Sequence, residues 1–157
     1  MATGNPIESR KQALRVARAA WLAMLVFQVG LGVVAWFVIA SQSTPTPGGP
    51  SGSTNVVVAG VALAVLLAGT FAGYFLRQQA FKAGWTGNAV SPQAFVKGMI
   101  LLYAPVEGAG TIASVFAIVA GQAVPYLALT ALAIAVLAIN FPTVSPMDDT
   151  LPDLTAR

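Results

Sequence analysis

Few residue types in this 157-residue sequence can do chemistry. The chain contains no cysteine, which excludes thiolate metal sites and nucleophilic thiols, and no histidine, the commonest general base and metal ligand. Acid chemistry must therefore use five carboxylates, which are Glu8, Glu107, Asp148, Asp149 and Asp153. Of these, only Glu107 lies inside a long apolar stretch, because the others belong to the terminal segments.

The surroundings of Glu107 make it the most distinctive position for chemistry. It lies about ten residues into the apolar stretch 98–120, near the centre of a helix long enough to cross a bilayer, where a charged acid costs about 2.5 to 3.5 kcal/mol. Desolvation at that depth favours the neutral carboxylic acid. We expect Pro105 to kink the helix. We expect Gly108 and Gly110 to thin the helix beside the carboxyl group, so that a neighbouring helix can approach.

Polar residues at a similar depth in the other apolar stretches are the expected partners of Glu107. Gln28 in the first stretch and Thr130 in the fourth have similar depths, and Thr70 in the second lies somewhat nearer the side on which the chain begins. We predict a hydrogen bond between Glu107 and Gln28, with Tyr103 or Thr130 as substitutes. In a structural role Glu107 would fix the packing of the helices, whereas in a functional role it would bind a proton or a cation. We favour the structural role, because no second acid, lysine or histidine in any stretch completes a relay.

Composition places these residues in a membrane. The chain is 57% hydrophobic and 8% charged, whereas about a quarter of the residues in soluble domains are charged. This excludes a soluble enzyme, a nucleic-acid-binding module and a disordered tail. About 20 apolar residues cross a bilayer core that is roughly 30 Å thick, and four stretches qualify: 19–40, 55–76, 98–120 and 123–141. None has the alternation of a membrane β-strand, so the sequence predicts an all-α, four-helix transmembrane bundle.

The positions of the basic residues predict the orientation of this bundle. All eight lysines and arginines fall on one side of a four-span topology, namely Arg10, Lys11, Arg15, Arg18, Arg77, Lys82, Lys97 and Arg157. The positive-inside rule then places both termini in the cytoplasm. We expect a basic cytoplasmic helix start over 1–18, a transmembrane domain over 19–141 and a short acidic tail over 142–157. The expected location is a bacterial inner or plasma membrane, which the chain crosses several times.

The first apolar stretch could also be the core of a cleaved signal peptide, because Val38 and Ala40 form a small-x-small pattern. The stretch 19–40 is 22 residues long, however, and signal peptides have apolar cores of about 7–15 residues. We therefore expect this stretch to be retained as a helix.

The same pattern of residues suggests what the protein contacts. Four basic residues before the first stretch are expected to contact anionic lipid headgroups; they are Arg10, Lys11, Arg15 and Arg18. Gly69 and Gly73 have the spacing of a close helix contact, either within the bundle or between protomers. A homo-oligomer and a larger membrane complex both stay open. We expect no cofactor, metal or nucleic acid and no catalysis, because the sequence shows no nucleophile–base pair, metal cluster or phosphate loop.

Three short motifs carry a resemblance to known proteins. They are Ala104-Pro105-Val106-Glu107-Gly108, Phe141-Pro142-Thr143 and Arg77-Gln78-Gln79. Over residues 56–151 the chain resembles a family of small four-span bacterial membrane proteins of uncharacterised function. That resemblance implies four spans and no established activity. From the residues themselves we expect a structural or accessory membrane protein.

A weaker likeness is to the proteolipid c subunit of rotary ATP synthases, which joins two helices by a polar loop and binds its ion on a mid-helix carboxylate. The likeness implies a proton- or cation-translocating component that uses Glu107. The chain departs from that pattern in its longer connection, in lacking a glycine-repeat helix and in having Pro105 before the acid.

Overall fold

The computed structural model describes residues 6–42, 52–86 and 89–147, which form a bundle of four helices. The helices are α1 (Pro6–Ser41), α2 (Gly52–Ala83), α3 (Pro92–Ala120) and α4 (Tyr126–Ile139). A pair of antiparallel strands, β1 (Trp85–Thr86) and β2 (Ala89–Val90), connects α2 to α3, and a single 3-10 turn (Ser145–Met147) follows α4. The predicted all-α helical bundle is confirmed. Three of the helices, α1 to α3, are long and apolar enough to cross a membrane.

These three helices extend beyond the apolar stretches, and local sequence explains where they begin. α1 starts at Pro6, whose fixed φ suits the first turn of a helix, where no amide hydrogen is needed. α3 starts at Pro92 after Ser91, whose hydroxyl accepts a hydrogen bond from the Ala94 amide. The 36 residues of α1 span about 54 Å, well over the thickness of a bilayer core.

The extensions of α1, α2 and α3 lie together at one end of the bundle, which we call the basic end. There the start of α1, the end of α2 and the start of α3 pack around a small apolar core that includes Phe95, Met99 and Met147. Seven described residues supply the positive charge of this end, namely Arg10, Lys11, Arg15, Arg18, Arg77, Lys82 and Lys97. The opposite end has no charged side chain among the residues that the structure describes.

The fourth helix is shorter than the predicted span over 123–141. α4 has 14 residues, or about 21 Å, because it begins only after Pro125 and ends at Ile139. Pro142 follows closely, has no amide hydrogen and disfavours helical geometry in the residue before it. Beyond α4 the chain continues toward the basic end, where the fully buried Met147 lies beside the first turns of α1. The beginning and the end of the described chain therefore lie at the same end of the bundle.

α3 is the central helix and packs against the other three. Gly69 and Gly73 bring α2 close to its backbone. A Cβ atom at Gly73 would lie 3.0 Å from the Leu102 carbonyl oxygen, and one at Gly69 would lie 3.3 Å from that of Pro105. α3 continues as one helix through Pro105. The glycine pair therefore packs inside the bundle, against backbone atoms that cannot move independently.

Large apolar side chains cover the outside of the helices. Phe37, Phe71, Val119 and Ile139 are 67%, 74%, 70% and 77% exposed. Water-soluble monomers rarely show wide continuous apolar surfaces, because each exposed apolar group in water is unfavourable. This exterior is suited to lipid or to another apolar protein surface.

Candidate functional site

Polar side chains from three helices meet in the apolar middle of the bundle. We call this group the central polar cluster: Gln28 of α1, Thr111 and Ser114 of α3, and Thr130 of α4, together with Glu107, one turn before Thr111 on the same side of α3. Residues three or four apart on a helix share a face, which is why the three members on α3 line one side. Gln28, Ser114 and Thr130 are at most 2% exposed. Buried polar groups need partners, so the hydrogen bonds of each member indicate what it does.

Ser114 and Thr130 join α3 to α4. Their hydroxyl oxygens are 2.9 Å apart. Ser114 Oγ also lies 3.0 Å from the Gly110 carbonyl oxygen, and Thr130 Oγ1 lies 3.3 Å from the Tyr126 carbonyl oxygen. Each hydroxyl hydrogen thus has an acceptor. This part of the cluster is satisfied by the protein itself.

The Gln28 amide lies between α3 and α4 at Gly110. A Cβ atom at Gly110 would be 2.8 Å from both Nε2 of Gln28 and Cβ of Ala133, so the missing side chain makes room for the amide. Thr111 Oγ1 donates to Gln28 Oε1 over 3.5 Å, at the limit of a hydrogen bond, and Gln28 Nε2 is buried without an acceptor. The prediction that Gly108 also lets a neighbouring helix approach is wrong, because a Cβ atom at Gly108 would meet nothing within 4 Å.

The predicted hydrogen bond between Glu107 and Gln28 is also wrong. Glu107 precedes Thr111 by four residues and therefore lies on the same side of α3, one turn nearer the basic end. It is half-buried. None of the described residues donates a hydrogen bond to its carboxyl group or forms an ion pair with it. The space at Gly110, rather than attraction to an acid, determines where the Gln28 amide lies.

The other residues expected around Glu107 have partners elsewhere. The Tyr103 hydroxyl donates to the Asn140 carbonyl oxygen over 2.8 Å, and Thr130 contacts Ser114, so neither substitutes for Gln28 as predicted. Thr70 donates to a carbonyl of its own helix over 2.7 Å. Equal depth in the membrane does not make two side chains neighbours, because the rotation of each helix about its axis decides which side chains meet.

The sequence did not single out Asn140, which links three helices at the end of α4. Its Oδ1 accepts from the Tyr74 hydroxyl of α2 over 2.9 Å, and its Nδ2 donates to the Val136 carbonyl oxygen over 2.8 Å. Its own carbonyl oxygen accepts from Tyr103 of α3. A lone amide at the end of a purely apolar run is the signal that could have identified it.

α1 binds the same end of α4 through Trp21 and Arg18. The Trp21 indole donates to the Leu137 carbonyl oxygen over 2.8 Å, and its ring meets that of Phe141 edge-on at 5.0 Å. Arg18 Nε donates to the Pro142 carbonyl oxygen over 3.4 Å, and its guanidinium lies 5.0 Å from the Phe141 ring centroid. These contacts hold α1 against the end of α4, where the Leu137 carbonyl oxygen also accepts a hydrogen bond from the Asn140 backbone amide. Arg18, expected at lipid headgroups, thus also binds the protein.

Arg77 of α2 lines a cavity of about 310 Å³ at the end of α4. Its guanidinium carbon lies 5.1 Å from the centroid of the Tyr74 ring and 5.7 Å from that of Phe81. Its Nε atom is buried and has no acceptor. Asn140 and Thr143 also line the cavity. The cavity therefore contains a positive charge whose contacts are aromatic rings rather than an anion.

The central polar cluster and the Arg77 cavity differ in the chemistry they offer. The cluster contains a carboxyl group, an amide and three hydroxyls, which suit a proton or a small cation that prefers oxygen ligands. No group of three or more metal-binding side chains occurs within the described ranges. Comparison of the chain with protein-family models, with curated proteins and with solved structures finds no match.

Proposed function

We propose that this protein is a structural or accessory subunit of a bacterial inner membrane, which it crosses several times with both termini in the cytoplasm. The observation that carries the proposal is that interhelical hydrogen bonds from buried and half-buried polar side chains connect all four helices. Ser114–Thr130 joins α3 to α4, Asn140 joins α2, α3 and α4, and Trp21 joins α1 to α4. A bundle fixed in this way can present its apolar exterior to lipid and to partner subunits.

The gathering of positive charge at the basic end supports the proposed orientation, because basic segments stay on the cytoplasmic side of the membrane. The short length of α4 is compatible with this orientation. Asn140 meets Tyr103 of α3, so α4 and its flanking residues cover most of the apolar length of α3. The chain after α4 then continues at the basic end.

Labelling of single cysteines tests this orientation, because the chain has no cysteine of its own. We expect Gln42→Cys, exposed at the end opposite the basic end, to react with a membrane-impermeant maleimide in intact spheroplasts. We expect Gln79→Cys, exposed near the end of α2, to react only after the membrane is opened. Labelling of both variants in detergent controls for reactivity. Labelling of Gln79→Cys in intact spheroplasts would contradict the proposed orientation.

A proton- or cation-translocating component is the second candidate, and one observation favours it. The Glu107 carboxyl group has no hydrogen-bond donor among the described residues, and Nε2 of Gln28 lacks an acceptor. A carboxyl group without fixed hydrogen bonds can bind and release a proton without breaking contacts. The structural role remains our proposal, because Glu107 is the only carboxylate, and no lysine accompanies it, in the described apolar parts of the helices.

The substitution Glu107→Gln separates the two candidates, because glutamine has nearly the same shape and cannot ionise. For a structural protein we expect this variant to insert normally and to unfold at the same temperature as the wild type or slightly above it, since no hydrogen bond of Glu107 is lost. We also expect wild type and variant to leave an imposed pH gradient across proteoliposomes equally intact. The decay of the gradient is followed with a trapped fluorescent pH indicator.

Glu8→Gln is the matched control, because it changes the other described carboxylate, which is exposed on the first turn of α1. Gradient collapse by the wild type and by Glu8→Gln, but not by Glu107→Gln, would overturn the structural proposal and support translocation.

A further inference from the structure

We propose that the Arg77 cavity is a binding site for a phosphate group, with Arg77 as the residue that binds it. The cavity exists because α4 ends at Ile139 while α2 and α3 continue to the basic end. Phe81 of α2, Phe95 and Met99 of α3, and Asn140 and Thr143 after α4 line it together with Arg77. Its volume of about 310 Å³ lies at the lower end of the range of roughly 300–1,000 Å³ for small-molecule pockets.

The polar groups beside the cavity bind one another rather than Arg77. The Tyr103 hydroxyl donates to the Asn140 carbonyl oxygen, and the Tyr74 hydroxyl donates to the Asn140 side-chain oxygen. No carboxylate pairs with Arg77 in the part of the chain that the structure describes. Its Nε atom is buried without an acceptor. Because a partly desolvated charge without a partner is unfavourable, an anion that enters the cavity gains a charge-assisted hydrogen bond from Arg77.

The chemistry of arginine and the place of this residue in the bundle favour phosphate among anions. A guanidinium group presents a planar fork of donors that matches two oxygens of one phosphate. The rings of Tyr74 and Phe81 hold that fork in place, which reduces the entropy lost on binding. Thr143 supplies a hydroxyl on the cavity wall, which is a second type of donor for a phosphate oxygen.

The depth of Arg77 corresponds to that of lipid headgroups. It follows directly after the apolar stretch of α2, and its side chain lies against Gly98, where the apolar stretch of α3 begins. The interface between apolar core and water is where lipid phosphates lie and where basic side chains meet them. The phosphate can therefore come from an anionic phospholipid or from a soluble phosphate.

Calorimetric titration of the full-length protein in a neutral detergent tests the site. The probes are dihexanoyl-phosphatidylglycerol, dihexanoylglycerol, which lacks the phosphate, and inorganic phosphate. We expect Arg77→Gln to weaken phosphate-group binding roughly tenfold or more, because a charge-assisted hydrogen bond is lost. Lys82→Gln removes one charge from the same helix at an exposed position outside the cavity, and we expect it to change binding about twofold or less.

Arg77→Lys keeps the charge but lacks the fork, and we expect an intermediate loss of binding. It also serves as the test if Arg77→Gln fails to fold, which gel filtration and thermal unfolding report. Arg77-dependent binding of phosphatidylglycerol alone supports the site with a lipid as its source, and Arg77-dependent binding of inorganic phosphate supports it with a soluble source. Equal losses in the Arg77 and Lys82 variants, or equal affinity for dihexanoylglycerol, would overturn the proposal.

Discussion

Gly110→Ala is expected to destabilise the bundle by about 1–3 kcal/mol, the typical cost of forcing an extra methyl group into a packed core. The new Cβ atom would lie 2.8 Å from the Ala133 Cβ atom and 2.8 Å from the Gln28 amide. The glutamine side chain can rotate away, but the Ala133 Cβ atom is attached directly to the backbone of α4. The substitution therefore pushes α4 away from α3 and disturbs the nearby Ser114–Thr130 contact.

Gly108→Ala is the matched control, because it makes the same chemical change two residues earlier on the same helix. Its Cβ atom would meet nothing within 4 Å, and alanine favours a helix over glycine by up to about 1 kcal/mol. We expect this variant to be as stable as the wild type or more stable. Unfolding in mixed detergent micelles, followed by circular dichroism, measures both variants. Similar destabilisation by the two would show that α3 and α4 do not pack at Gly110.

Gln28→Met is expected to stabilise the protein by about 1–3 kcal/mol, the usual cost of a buried polar group that has lost its partner. Gln28 is fully buried, its Nε2 atom has no acceptor and its Oε1 atom has one long hydrogen bond from Thr111. Methionine is unbranched, similar in length and free of strong polar groups. It can fill the space at Gly110 without desolvating an amide. The same unfolding measurement gives the sign of the change.

Thr111→Val is the control for this prediction, because it removes the other partner of the same contact and leaves the amide buried. We expect it to be neutral or destabilising. A Gln28→Met variant that is less stable than the wild type would mean that the amide has a partner in the membrane, such as a bound water or cation. That result would favour the translocation candidate over the structural one.

The helices could be predicted because lipid imposes a simple rule, namely that a crossing helix must be apolar over most of its length. That rule located the bodies of α1, α2 and α3. It failed for α4, because the apolar run continues through Pro125 and Phe141, where backbone geometry ends the helix. Hydropathy does not register such local breaks.

The candidate site was predicted less well than the helices. The sequence identified Gln28, Glu107 and Thr130 as polar residues in apolar surroundings, and the structure buries Gln28 and Thr130 in the central polar cluster and leaves Glu107 half-buried one turn before Thr111. It did not identify their partners, because depth along a helix gives no information about rotation around its axis. Ser114, Asn140, Trp21 and Arg77 were not predicted to have a role at the site. Asn140, a lone amide at the end of an apolar run, could have been identified, whereas the sequence gives no sign of which side chains the other three contact.

The sequence by itself determined which chemistry this protein can have. It has no thiol and no imidazole, it has one carboxylate in an apolar stretch, and all its lysines and arginines lie in segments that a four-span topology would put on one side of a membrane. The tertiary structure decided which groups meet. Gly110 and Gly73 set how closely the helices approach and how each is rotated, because only a residue without a side chain admits a neighbouring backbone or amide. Because α4 ends early, a cavity remains between the ends of three helices, and Arg77 is the unpaired charge in it. The packing of these three helices forms the cavity.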